Sequence, residues 1–334
     1  MPQRGRAIYR LARGSRSRGL GHAGQLCEPA GASRRLGQAL PADQEDQSQP
    51  LTRGRARRRL LLGYVTNGLR DHRLDDALRL LADHGYEAVG LTLDVGHLDP
   101  FRASAHEIAA IAALVARLRL HVVIETGARF LLDPRSKHEP TLMTRGAEAR
   151  ALRLDHYARA ARIGRELGAR ALSFWAGVDR NPQPDALAWL DEGVRRSAAI
   201  VRAAGLEPSL EPEPGMAIET LAQFDALAQR LGAEAPRLTL DVGHLYVTGE
   251  GDPAELCRRW APRCAQVQIE DMRRGVHEHL PPGEGEVEFP AVFRALRDGA
   301  YRGPVCFELS RSSHDAPRLV ERCARLFAEA RTGA

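Results

Sequence analysis

The octapeptide LTLDVGHL stands twice in this chain of 334 residues, at Leu91–Leu98 and at Leu238–Leu245. Each copy reads as a β-strand ending in a carboxylate and an imidazole, Asp94 with His97 and Asp241 with His244. The surrounding segments say what kind of fold uses such a strand end twice. From Leu60 onward, short apolar, β-rich runs alternate with longer stretches of helical period. The predicted strands are LLLGYVT (60–66), AVGLTLD (88–94), HVVIETG (121–127), ALSFWAG (171–177), EPSLEPE (207–213), RLTLDVG (237–243), AQVQIED (265–271) and PVCFELS (304–310). Between them, stretches such as RLDDALRLLADHGY and SAHEIAAIAALVARLRL repeat apolar residues at three- and four-residue steps, as a helix with one buried face does. Gly85, Gly168, Gly205 and Gly232 close helices and are expected in left-handed caps. Eight strand–helix units in about 270 residues is the rhythm of an α/β (β/α)8 TIM barrel. No GxGxxG follows the first strand, which argues against a doubly wound sheet. The copies are then strands two and six, opposite in the ring, with their polar ends on the carboxyl-terminal rim where barrels keep their chemistry. Both are expected to face one pocket, and only the second is read as built for a metal. The identity of the two segments also has a plain reading, in shared strand–turn demands or in the trace of a half-barrel duplication, which does not affect where the side chains point.

The formal net charge is +5 and the pI about 9.2, but the charge is uneven. Met1–Arg59 holds 13 Arg against 4 acidic residues, a net +9, which leaves −4 for the remainder. The barrel is therefore mildly acidic, and nucleic-acid binding is not favoured by charge. Residues 1–59 are rich in Arg, Gly, Ser, Gln and Pro without a sustained apolar period, so a disordered basic extension is expected ahead of a barrel over 60–334. The extension reads as an organelle-targeting sequence, as a basic arm for an anionic partner, or as a translation start placed too far upstream. The third is preferred, because RGRARRRLLLGYVTN runs into the first strand with no other start signal. A secretory signal is not expected, and no run approaches the roughly 18 apolar residues of a membrane span. Cys27, Cys257, Cys264, Cys306 and Cys323 form no CxxC and suggest reduced thiols in a cytoplasmic protein.

The ends of strands five to eight carry LEPEPG, LDVGH, VQIED and CFELS. Glu211, Asp241, Gln268 and Glu308 each follow an apolar residue there, so the pleat aims them the same way around the rim. Any one of the acids is explained by a salt bridge or a helix cap. Three carboxylates converging with an amide oxygen would repel one another unless a cation lay among them, so a divalent metal is expected. The loop after strand seven, GVHEHLPPGEGEVEF, adds His277 and His279, an HxH pair suited to metal or substrate, although solvated surface is the ordinary case for such a pair. The connection Ala128–Arg150 has no clear period and reads as a lid. It holds Lys137, the only lysine in the chain and a candidate substrate contact. Glu125, Asp94, His97 and Trp175 are candidate pocket walls, with packing or hydrogen bonding as the plain alternative.

On LEPEPG, LTLDVGHL, VQIEDM with the following HEHLPPGEGEVEFP, and GPVCFELS, the chain from about Leu60 to Ala330 resembles the sugar isomerase/epimerase barrels similar to xylose isomerase. That superfamily also includes hydroxypyruvate isomerase, ketose 3-epimerases and endonuclease IV. The resemblance implies a metal-dependent isomerase or epimerase of a small sugar, phosphorylated or not, acting by proton transfer through an enediolate. Glu211, Asp241, Gln268 and Glu308 are the implied metal ligands, Glu211 and Glu308 the implied acid and base, and His244 lies near the substrate. The family usually has His at the position of Gln268, and a neutral oxygen donor there suits Mn or Mg better than Zn. The endonuclease IV pattern implies instead that His277 or His279 completes the ligand sphere. Homo-oligomers are frequent among such barrels. Two other readings compete: a metal-dependent phosphodiester hydrolase, weakened by the negative barrel, and a non-catalytic barrel that binds a metabolite.

Overall fold

A computed structural model of the chain describes residues 59–180 and 184–332. Cys27 and, but for Arg59, the expected disordered extension lie outside the described residues. Among the described residues there are ten strands: β1 (Leu61–Val65), β2 (Ala88–Thr92), β3 (His121–Glu125), β4 (Ala171–Phe174), β5 (Glu207–Leu210), β6 (Arg237–Asp241), β7 (Cys264–Ile269), β8 (Asp271–Arg273), β9 (Val276–Leu280) and β10 (Pro304–Phe307). Eight of them close into a parallel ring in the order β1-β10-β7-β6-β5-β4-β3-β2, and β8 and β9 form a separate antiparallel hairpin. The fold is the expected TIM barrel.

The helices are α1 (Leu74–Asp83), α2 (Ala105–Leu118), α3 (Ala147–Glu166), α4 (Ala186–Ala203), α5 (Leu221–Leu231), α6 (Val242–Thr248), α7 (Pro253–Trp260), α8 (Phe289–Asp298) and α9 (Ala316–Thr332). Their apolar faces cover the ring, which is why strands such as AVGLT in β2 are buried throughout and read as apolar runs. The four expected glycine positions all have positive φ, 79° at Gly85, 68° at Gly168, 83° at Gly205 and 57° at Gly232, although at Gly232 a ψ of −126° departs from the left-handed cap expected there. Among the described residues no helix is long and apolar enough to cross a membrane, and Cys257, Cys264, Cys306 and Cys323 are free and buried.

Inside the ring the packing is tight and changes character with height. A small apolar plug of Val65, Val123, Ala171 and Cys306 fills one layer. There Gly63 is required, since a Cβ would fall 2.5 Å from the Cys306 sulfur. One step toward the carboxyl ends the interior turns polar. Ser173 and Thr239 hydroxyls lie 2.9 Å apart, Thr239 donates to Ser209 over 2.8 Å, and the Gln266 amide donates to Glu125. These side chains are buried and linked to one another, with only the Gln266 Oε1 left without a donor among the layer's named groups, so the layer is a largely satisfied base for what stands above it.

Candidate active site

The two copies of the octapeptide take different conformations. In the second, β6 runs to Asp241 and the chain turns directly into α6. Asp241 serves as its N-cap, with Oδ1 accepting from the His244 amide over 3.0 Å, while Oδ2 is buried with no donor. In the first, β2 stops at Thr92 and the backbones of Asp94 and His97 pair with each other, at 3.2 and 2.9 Å, before Leu98 turns left-handed at φ 56°. Pro100 follows two residues later, and a proline disfavours helix in the residue before it. This turn carries His97 out of the central pocket, contrary to expectation. It is 3% exposed, its Nε2 lies 3.1 Å from the His72 carbonyl, and with Asp94 it lines a neighbouring cleft. Asp94 is instead ion-paired with Arg129 at 3.5 Å.

The central cavity, of about 470 Å³, opens on the carboxyl-terminal rim. Glu211 and Glu308 line its floor, and Asp241 lies against them just behind it. Each offers a carboxylate oxygen, and these oxygens lie within 4.8 Å of one another. Glu211 and Glu308 sit one residue past β5 and β10, but their amides still bond to the neighbouring strands, Glu211 to the Phe174 carbonyl at 2.9 Å and Glu308 to Ile269 at 3.1 Å. The ladder thus fixes both side chains. Gln268, paired in register with Asp241, lines the cavity and has a buried Oε1 without a donor. Glu125 is also in the wall.

Two carboxylates missing from the expected set belong here as well. Glu213 lines the cavity, and Glu270 is fully buried with neither oxygen receiving a hydrogen bond. Both were legible as the next residue of the same parity, two beyond Glu211 and two beyond Gln268. Burial, followed by the charges of neighbouring carboxylates, pushes Glu211, Glu213 and Glu270 well above the usual range. Glu125 rises to about 8, by burial and then by the Glu308 charge. Glu308 rises only to about 7, because the Asn67 amide donates to its Oε1 over 2.6 Å against the burial and the Asp241 charge. A cluster of this kind, with bare buried oxygens directed at a common point, fits a hard divalent cation.

Beside this cluster stands a group of imidazoles. His244 from α6 and His277 and His279 from β9 each present a ring nitrogen within 4.8 Å of the others. His244 Nδ1 lies 3.0 Å from the Pro212 carbonyl and must carry the proton, so Nε2 is left as a bare acceptor near Glu213 and Asp241, both at 3.7 Å. Burial lowers the three rings to about 4, 4 and 3, so they are neutral at pH 7. The hairpin that brings His277 and His279 back over the rim is held by buried Asp271, whose oxygens accept from the amides of Gly283, Glu284 and Val287 at 2.6, 3.0 and 2.9 Å.

Trp175 and Lys137 also line the cavity. The connection after β3 is irregular until α3 begins at Ala147, slightly earlier than expected. It is fastened from below by Arg153 of α3, a fully buried guanidinium that donates to the carbonyls of Pro140 (2.7 Å) and His138 and lies 4.8 Å from the Trp175 ring. His138 in turn packs edge-on against Trp175, with ring centroids 5.3 Å apart. Arg153→Met should free these carbonyls at a cost of about 3 kcal/mol. The measurements are urea unfolding and limited proteolysis, with new cleavage expected between residues 126 and 146.

A closed (β/α)8 ring with a buried acidic floor at its carboxyl-terminal rim defines the class as a TIM barrel with a metal-type site. The chain belongs to the xylose isomerase-like TIM barrel family, whose model matches residues 78–329. Among curated proteins it is similar to inosose dehydratase of Clostridium perfringens, 24% identical over 136 residues, a match covering 36% of this chain and 46% of that protein. The chain thus matches less than half the length of that relative. Among solved structures it is similar to D-allulose 3-epimerase from Methylomonas sp., with a TM-score of 0.66 and 18% identity over 81% of this chain and 98% of the other. It is also similar to the IOLI protein with a bound zinc atom, with a TM-score of 0.64 and 15% identity over 82% and 97%. At such identities the likeness to the solved structures is one of fold.

Proposed function

We propose that the chain is a divalent-metal-dependent isomerase or epimerase that moves a proton between carbons flanking a carbonyl of a small sugar-like substrate. The observation that carries this reading is the convergence of Glu211, Asp241 and Glu308 within 4.8 Å at the floor of a closed ring. With Gln268 they would hold the ion, which when bound supplies the positive charge that stabilises an enediolate. Four oxygen donors suit Mn or Mg, whereas the nitrogens of His244, His277 and His279 would suit Zn. Glu308, held by Asn67 and poised near neutrality, removes or returns the proton, and Glu211 acts across the cluster from it. His244 accepts a hydrogen bond from a substrate hydroxyl at its bare Nε2. His277, His279, Glu125, Trp175 and Lys137 complete the walls. Four free buried thiols accord with a cytoplasmic location.

The similarity to inosose dehydratase favours a second reading, in which the same proton abstraction is followed by loss of the neighbouring hydroxyl. The leaving oxygen then needs an acid, and a protonated floor carboxyl is the available one, since the three imidazoles are neutral. Incubating the Mn-loaded protein with a panel of ketoses and inososes in deuterated water separates the readings. Deuterium in recovered sugar supports isomerase chemistry, and a product lighter by one water supports dehydration. Absence of both, with no metal retained by the purified protein, would leave only the metabolite-binding alternative.

A further inference from the structure

The central cavity has two electrostatic halves. Above the carboxylate floor its mouth carries four cations, Arg70, Arg129, Lys137 and Arg311, drawn from the segments after β1, β3 and β10. They stand close enough together that Arg129, Arg311 and Arg70 all help burial to depress the Lys137 ammonium. The plain explanation is charge balance with the floor, but the contacts do not support it. Among the described residues none of the four forms an ion pair with a floor carboxylate. Only longer-range attraction connects the two halves, from Glu213 to Lys137 and from Glu308 to Arg129. Arg129 is committed to Asp94. Arg311 reaches Glu278 at 3.9 Å and donates to the His277 carbonyl at 3.2 Å, leaving its side chain 59% exposed. Arg70 and Lys137 have no hydrogen-bonding or ion-pairing partner for their charged groups among the described residues. Two uncommitted positive charges, flanked by the loosely held Arg311 and the paired Arg129, match a dianion better than a single carboxylate. A phosphate monoester carries close to two negative charges at pH 7 and three acceptor oxygens, and a guanidinium fork beside a point-charge ammonium is a usual way to hold it.

We propose that the substrate is a phosphate monoester of a short polyhydroxylated ketone, its phosphate held at the mouth by Arg70 and Lys137 with Arg129 and Arg311 beside them. This rests on the reading of the floor as the place that takes the polyol end. The test titrates the full Mn-loaded chain, at low ionic strength, with ribitol, ribonate and ribitol 5-phosphate. Ribitol 5-phosphate is expected to bind at least about 30-fold more tightly than ribitol, two charge-assisted contacts discounted for exposure, and that advantage should shrink as salt is added. Arg70→Gln and Lys137→Gln are each expected to lower the ratio of the two affinities by about fivefold, and the double variant to bring it close to one. Equal affinity for ribitol and its phosphate, or ribonate binding as tightly as the phosphate, overturns the proposal. In either case Mn-dependent binding of ribitol leaves the polyol reading of the floor standing. If ribitol does not bind and Mn has no effect on the phosphate's affinity, it is the floor reading that fails.

Discussion

Glu308→Gln should slow deuterium exchange from solvent into a bound ketose by about 10²- to 10⁴-fold, the range a positioned acid or base contributes. The substitution preserves the shape of the side chain and leaves an oxygen to accept from Asn67, which now holds Oε1 at 2.6 Å. It removes the capacity to carry a proton and one unit of negative charge. Because Glu308 lies one residue past β10 with its amide bonded to Ile269, the backbone has no reason to move. The loss should therefore fall on the rate and not on folding. Exchange is measured by mass spectrometry at saturating Mn, which offsets the weaker hold on the ion, with the thermal midpoint as the control. Uptake of label at the rate of the unaltered protein would remove Glu308 from the acid/base pair and leave it a ligand at most.

Stripped of metal by a chelator, the protein should lose stability as pH rises from about 7 to 8, and returning Mn should raise its thermal midpoint by about 10 °C at pH 8 and by less at pH 7. The sign follows from which state holds its protons more tightly. In the unfolded chain the floor carboxyls titrate near 4.5, whereas in the folded protein Glu308 is held at about 7 and Glu125 at about 8. Their contribution to stability is therefore complete below the unfolded value and is lost as pH climbs through the folded ones. The buried histidines act in the opposite direction at lower pH. His138, His244 and His277 at about 4 and His156 and His279 at about 3 resist the protonation that an unfolded imidazole accepts near 6.5, so their contribution is lost on acidification. Above about 7 those rings are largely neutral in both states, and the carboxylates set the sign of the slope. A cation binds the deprotonated cluster, so it must displace protons and gains most where they have already left. A stripped protein whose stability is flat from pH 7 to 8 and does not respond to Mn, Mg or Zn would show that the acidic floor is not a metal site.

Much of this was legible in the sequence. The alternation of eight apolar runs with helical periods marks the barrel, and the polar residue at each strand end marks the rim, because a pleated strand of known direction leaves little freedom in where its last side chains point. Glu211, Asp241 and Glu308 do meet, as that logic requires. Glu213 and Glu270 obey the same period of two, within the predicted runs 207–213 and 265–271, whereas nothing local distinguishes Arg153 among so many arginines. Its burial under the connection after β3 depends on α3 docking against carbonyls that belong to no regular element.

The repeated octapeptide separates what is local from what is not. Its first residues form a strand in both places, because alternating leucines buried between a barrel and its helices have the same best conformation each time. After the threonine the two copies part, one continuing as strand to the aspartate and into a capped helix that carries His244 to the acidic cluster, the other entering a tight turn that hides His97. So short a stretch cannot select helix or turn by its own propensity. The flanking sequence tips the choice, by Pro100 in one copy and by a run to Gly249 in the other, and closure of the ring then decides whether an imidazole faces the pocket. The sequence by itself determined the barrel and its acidic rim. The second copy is already the one expected to hold a metal; only the tertiary structure decided that the imidazole of the first leaves the pocket, since that depends on contacts with neighbouring segments that no local stretch contains.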